Sequence, residues 1–133
     1  MAISFDKAFG LHPEALMIRD RRAQVLSENI ANADTPGYKA RDIDFGQAMK
    51  LAKAHQSGSI GRTHEKHFAI SSQLGGDTLY RNPDQADTGD GNTVDINHER
   101  NAFMKNSMEY QASLAFLTAR ISGLKKAITG GGQ

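Results

Sequence analysis

Eight large apolar residues near the C-terminus recur at steps of four and three: Ile96, Phe103, Tyr110, Leu114, Leu117, Ile121, Leu124 and Ile128. Only Arg100 and Ser107 interrupt the series. A strand repeats every two residues, so this spacing belongs to a helix whose seam faces another helix. The pattern predicts a helix over residues 94–129, a rod of roughly 50 Å at ~1.5 Å per residue. Gly130 to Gly132 end it as a glycine cap, leaving 130–133 as a flexible tail. Met104, Met108, Ala115, Phe116 and Ala119 form a second apolar stripe beside the first. A helix with two such stripes needs more than one neighbour.

The N-terminal zone, residues 1–34, repeats the theme. Leu16, Ala23, Leu26, Ile30 and Ala33 keep the same rhythm once Arg19 is admitted as a polar exception, and Ala15, Ile18 and Val25 widen the face. Pro13 suits a first helical turn, where its missing N–H costs nothing, and Glu14 sits where the helix dipole favours a carboxylate. Residues 4–10 are expected to form a separate helical turn with Phe5 and Phe9 on one side. The run "NIANADTPGYKARD" then stops the helix. Pro36 drives Thr35 out of the helical region, placing the stop at about Asp34. Pro36 and Gly37 fit the two central positions of a type II turn, the second of which needs positive φ. Tyr38 supplies an aromatic ring with a polar tip to anchor the returning chain, and Asn29 and Asn32 are suited to hydrogen-bond exposed backbone near the helix end.

Residues 35–93 are rich in Gly, Asp, Ser and Asn and poor in large apolar side chains. Within them Asp44 is the expected N-cap of a short helix with Phe45, Met49 and Ala52 on one face. The remainder reads as loop or weak β-hairpin, partly disordered. The expected fold is mainly α: one module in which the N- and C-terminal helices pair as an antiparallel-type coiled coil around a loop-rich centre. Hydrophobic residues make up 38% of the 133 and aromatics 7%, too little for a large single core. Two ridged helices with no third element to cover them expose apolar surface that only other chains cover.

Several chemistries are excluded or disfavoured. Sixteen basic residues balance 15 acidic ones, so nothing in net charge argues for nucleic acid. The cluster Arg19, Arg21 and Arg22 is interrupted by Asp20 and reads as a solvated face or a partner contact rather than a nucleic-acid patch. There is no cysteine, hence no disulfide, thiolate metal site or Cys nucleophile. The N-terminus has no basic start followed by an unbroken apolar run, so no cleaved signal peptide is expected, and no stretch is long enough to span a bilayer. His64 and His67, with His55, His98 or Glu99, invite a metal reading, but the spacing is not that of His-Glu-x-x-His, and a polar loop is favoured. "DQADTGDGNTVD" does not align with a calcium loop and reads as a turn before a helix start at Val94–Asp95. Asp42 and Asp44 fall in a segment expected to be exposed, without support for acid catalysis. No catalytic, cofactor or metal site is expected.

"LSENIANADTPGYKARDIDF", residues 26–45, resembles the signature of the flagellar basal-body rod protein family, matched at Asn29, Ile30, Ala31, Asn32, Thr35, Pro36, Gly37 and Tyr38. "THEKHFAI", "DGNTVDINHE" and "MKNSMEYQASLAFLTARISGLKKAI" are similar to segments of its proximal rod subunits. The resemblance implies a non-catalytic axial protein that polymerises with itself and other rod subunits into the driveshaft crossing the periplasm. It implies export through the flagellar type III apparatus without signal cleavage, and contacts with the MS ring, its rod adaptor and the export gate, the last through Phe5 and Phe9. Two other readings stand beside it: a coiled-coil adaptor or chaperone forming a closed dimer, and a small histidine-based metal-binding protein.

Overall fold

The computed structural model describes residues 8–56, 77–83, 85 and 89–130. In chain order the elements are α1 (His12–Ala31), β1 (Arg41–Ile43), α2 (Phe45–Gln56), β2 (Thr78–Tyr80) and α3 (Ile96–Ile128). The protein is mainly helical, with its N- and C-terminal helices packed together and a small two-stranded sheet in a loop-rich middle.

Helix α1 starts where local chemistry allows. Gly10, at φ +62°, breaks the chain ahead of it, and Pro13 lies in its first turn with Glu14 beside it. The helix ends at Ala31 rather than at Asp34. Asn32 and Ala33 donate back to the Asn29 and Ile30 carbonyls in tight turns. Two carbonyls beyond the helix end, those of Ala33 and Thr35, are claimed together with that of Asn32 by the Asn92 side-chain amide, at 2.8, 2.9 and 3.0 Å. A side chain from the far end of the loop region thus ends the helix earlier than Pro36 alone requires. Tyr38 N–H donates to the Thr35 carbonyl at 3.2 Å, and Gly37 has φ +74°, the geometry of the expected type II turn.

Helix α2 is capped by Asp44, whose Oδ1 accepts from Gln47 N–H at 3.0 Å. Its inner face carries buried Ala48 and Ala52, with Phe45 and Met49 packed on the core. The sheet is not a local hairpin within the loops. β1, which precedes α2, pairs antiparallel with β2, which follows it, in the register Arg41↔Tyr80, Asp42↔Leu79 and Ile43↔Thr78. Helix α3 begins at Asp95, whose carboxylate accepts from the Asn97 and His98 N–H groups at 2.9 and 3.2 Å.

The hydrophobic core lies on one side of α1. Ile18 and Val25 meet Ile43 of β1 and Ala48 of α2. Complete burial of a side chain such as Ile18 stabilises by ~1.5–3 kcal/mol. This cluster is small, as the 38% apolar composition requires.

Candidate functional site

Asn29 organises the region around the Thr-Pro-Gly-Tyr turn. It is fully buried, and its Nδ2 donates to the Arg41 carbonyl at 2.6 Å and to Glu99 Oε2 at 3.0 Å. Its Oδ1 accepts from Arg41 N–H at 3.1 Å and from the Tyr38 hydroxyl at 3.3 Å. The amide therefore pairs with both backbone groups of Arg41 as a neighbouring strand would, on the edge of β1 that β2 leaves open. This differs from the expected contact with backbone at the helix end. Asn32 does take that role, donating to the Glu28 carbonyl at 2.8 Å and accepting from Thr35 Oγ1 at 3.1 Å. Pro36 and Gly37 are exposed, and Gly37 N–H donates to the Asp90 carbonyl at 2.9 Å. The loop once compared with a calcium site folds onto this turn, with Gly37 Cα 3.7 Å from where a Cβ on Gly91 would lie.

A line of charge crosses from α1 to α3. Arg22 grips Asp42 through both carboxylate oxygens at 2.8 and 2.9 Å, and Arg81 bonds Asp42 Oδ2 at 2.9 Å. Arg81 also pairs with Glu99, itself fully buried. Burial alone pushes Asp42 up, but the Arg22 hydrogen bonds and charge, the Ile43 N–H and Arg81 outweigh it and hold the carboxyl below its usual range. The same pairing raises Arg22. Arg22 is thus an internal clamp, as is Arg19, which pairs with Glu109, donates to Ser113 Oγ at 3.1 Å and stacks 4.0 Å over Phe45. The expectation of a solvated basic face fails for both, and that of an exposed Asp42 fails with it. Asp44 alone of that pair is exposed.

The two long helices run antiparallel: Asn29 meets Glu99, Arg19 meets Ser113, and Arg120 reaches the Ala8 carbonyl at 3.1 Å. The chemistry of this contact departs in part from the expected apolar seam. Glu99, Asn106 and Ser113 of α3 bond to α1, and Arg120 bonds to the segment before it, so polar side chains at seven-residue spacing run along the contact. Leu26, which shares the helix face of Arg19 and Asn29, is fully buried as an apolar member. Leu16, Ala23 and Ile30 are half-buried. At 3.6 residues per turn the apolar series on α3 is centred roughly 60° around the helix from the polar line. Tyr110, Leu117 and Leu124 border the contact and are half-buried, whereas Phe103, Leu114, Ile121 and Ile128 are exposed, Ile128 by 85%. Met104, Met108 and Phe116 of the second stripe are exposed by 63, 64 and 64%.

Among the described residues no group of His, Asp or Glu is placed to hold a metal, and no helix is long and apolar enough to cross a membrane. His64, His67 and Phe5 lie outside the described residues, while Phe9 is half-buried. A cavity of about 460 Å³ lies beside Met17, Arg21, Glu28 and Arg41, but its mixed charges present no convergent catalytic set. The residues that sequence reasoning missed are Asn92, Arg81 and the polar line on α3. The signal for the last was present, since Glu99, Asn106, Ser113 and Arg120 are seven apart.

Residues 12–39, which run from the start of α1 through the turn to Lys39, match the family model described as flagella basal body rod protein. Over 130 residues the chain is 61% identical to the flagellar basal body rod protein FlgB of Aeromonas hydrophila, covering 98% of both chains. It is 46% identical to FlgB of Cereibacter sphaeroides over 95% of this chain and 97% of that one. The chain belongs to the FlgB family of flagellar basal body rod proteins. FlgB of Escherichia coli is also similar, with 41% identity across 98% of this chain and 99% of its own. As a FlgB-family member the protein is a structural component of the proximal rod of the flagellar basal body and associates with other basal-body components. The motif Asn29, Asn32, Thr35, Pro36, Gly37 and Tyr38 lies inside the matched stretch, where the Asn29 side chain joins the end of α1 to β1 and α3 and the motif's backbone bonds to the 90–93 loop.

Proposed function

We propose that this rod protein polymerises, with copies of itself and with other rod subunits, through the exposed apolar residues of α3, and that it does no catalysis. The observation that carries the reading is that α1 lies along a largely polar line of α3, with only Tyr110, Leu117 and Leu124 half-buried beside it, and leaves Phe103, Leu114, Ile121 and Ile128 exposed. Apolar surface of this extent on a lone chain marks a contact with another protein. A heterologous contact of this kind, repeated without ring closure, builds an open helical filament. The helix-packing set on α1, Leu16, Ala23, Leu26 and Ile30, holds the subunit together, and the Asn29–Tyr38 motif sets the angle at which the chain leaves α1. Export proceeds unfolded through the flagellar type III apparatus without cleavage of a signal. Phe5 and Phe9 contact the export gate, and the assembled subunit meets the MS ring and its rod adaptor.

The chain has no cysteine, so a single one introduced at Leu114 reports its neighbours uniquely. Cross-linking in motile cells is expected to join Leu114→Cys to other rod subunits. A single sharp dimer mass at every dilution, with no cross-link to other rod proteins, supports the closed-dimer alternative and refutes the proposal.

A further inference from the structure

We infer that the polar line Glu99, Asn106, Ser113 and Arg120 is a register key, selecting the face of α3 on which the subunit's own N-terminal helix lies. The inference deepens the assembly reading, because the key withholds the apolar face from α1 and leaves it to other chains. Three observations support it. First, α1 lies along the polar line with Tyr110, Leu117 and Leu124 half-buried at its border, while the neighbouring Phe103, Leu114, Ile121 and Ile128 stay exposed. Second, each polar residue has a definite partner at one height of α1 or of the segment before it. Glu99 takes Asn29, Asn106 takes the Arg19 carbonyl at 2.8 Å, Ser113 takes Arg19 Nε, and Arg120 takes the Ala8 carbonyl. A slide by one turn breaks all of these bonds together, whereas apolar ridges tolerate it. Third, the arrangement is not optimised for strength. Asn106 is buried with its Oδ1 lacking a hydrogen-bond partner, a cost that Leu at the same position does not carry. A buried polar residue at a single seam position is a known device for fixing helix register and partner choice at some expense in stability. Arg19 strengthens the key by serving two rungs, with its carbonyl on Asn106 and its guanidinium on Ser113 and Glu109.

The test uses the full chain as dilute monomer, with single cysteines at Ala102, half-buried beside the polar line, or at Leu114 on the exposed apolar face. Thiol-labelling rates then report which face α1 covers. In the otherwise native protein Leu114→Cys labels fast and Ala102→Cys slowly. In N106L/S113L, with helix content checked by circular dichroism, the ratio of the two rates is expected to fall several-fold as α1 occupies both faces. N106Q, which retains a donor for the Arg19 carbonyl, is expected to keep the native ratio. An unchanged ratio in N106L/S113L overturns the inference. So does an equal fall in N106Q, because the effect is then one of packing volume. The assembly reading fails separately, through absence of Leu114→Cys cross-links to other rod subunits, which leaves the monomer labelling ratio untouched.

Discussion

Replacing Asn29 discriminates sharply between a polar and a volumetric account of the fold. The side chain is fully buried and makes four hydrogen bonds, two to Arg41 backbone, one to Glu99 and one from Tyr38. Both partners of Nδ2, a carbonyl and a carboxylate, are acceptors only, so the orientation of the amide is set by chemistry. A neutral bond contributes about 1 kcal/mol net and one to a charged group about 1.5–3 kcal/mol. Tyr38 is half-buried and its hydroxyl can turn to water. Allowing for that, Asn29→Ala is expected to cost about 3–5 kcal/mol, a large share of the ~5–15 kcal/mol that holds a domain together. Asn29→Asp keeps the volume and both acceptor bonds but sets an oxygen against the Arg41 carbonyl and Glu99. It is therefore expected to destabilise at least as much as Ala. Urea unfolding of the dilute monomer, read as a shift in midpoint at constant slope, measures both. If Asp proves clearly milder than Ala, shape rather than donor chemistry governs the site and the reasoning is refuted.

Three further outcomes follow from the same structure. Gly37→Ala meets no atom within 4 Å but must hold φ near +74°, so it should cost about 1–2 kcal/mol through backbone strain, visible in Tm. Because folding lowers the Asp42 pKa, its ionised form contributes stability fully above the unfolded-state value near 3.8, and that contribution is lost as pH falls through the lower folded value. Asp42→Asn should therefore be less stable than the native chain at neutral pH, and the gap should close below about pH 4; a gap independent of pH contradicts the Arg22–Asp42–Arg81 assignment. Phe116→Glu, at a site 64% exposed, should leave monomer stability within about 0.5 kcal/mol while abolishing motility; normal swimming removes this side chain from the assembly surface.

The elements were legible because their signals are local. The heptad spacing of α3 and its start at Val94–Asp95, Pro13 opening α1, Asp44 as a cap, and Pro36-Gly37 as a turn each act within a few residues and need no partner. The family signature from Asn29 to Tyr38 was equally plain. Sequence position alone was misleading for Arg22 and Asp42, which look solvated until Arg81, 39 residues beyond Asp42, closes the network. The end of α1 was misplaced for the same reason, since Asn92 lies about 60 residues from the carbonyls it takes.

What the chain determines unaided is thus its inventory: two long helices, the sharp turn after the first, a thin core and more apolar ridge than one subunit covers. Tertiary structure decided which ridge is covered. Periodicity marks a stripe but not its occupant, because burial free energy does not distinguish one apolar neighbour from another. Directional bonds do distinguish them, and on α3 they place α1 along Glu99, Asn106, Ser113 and Arg120 and leave Leu114, Ile121 and Ile128 outside.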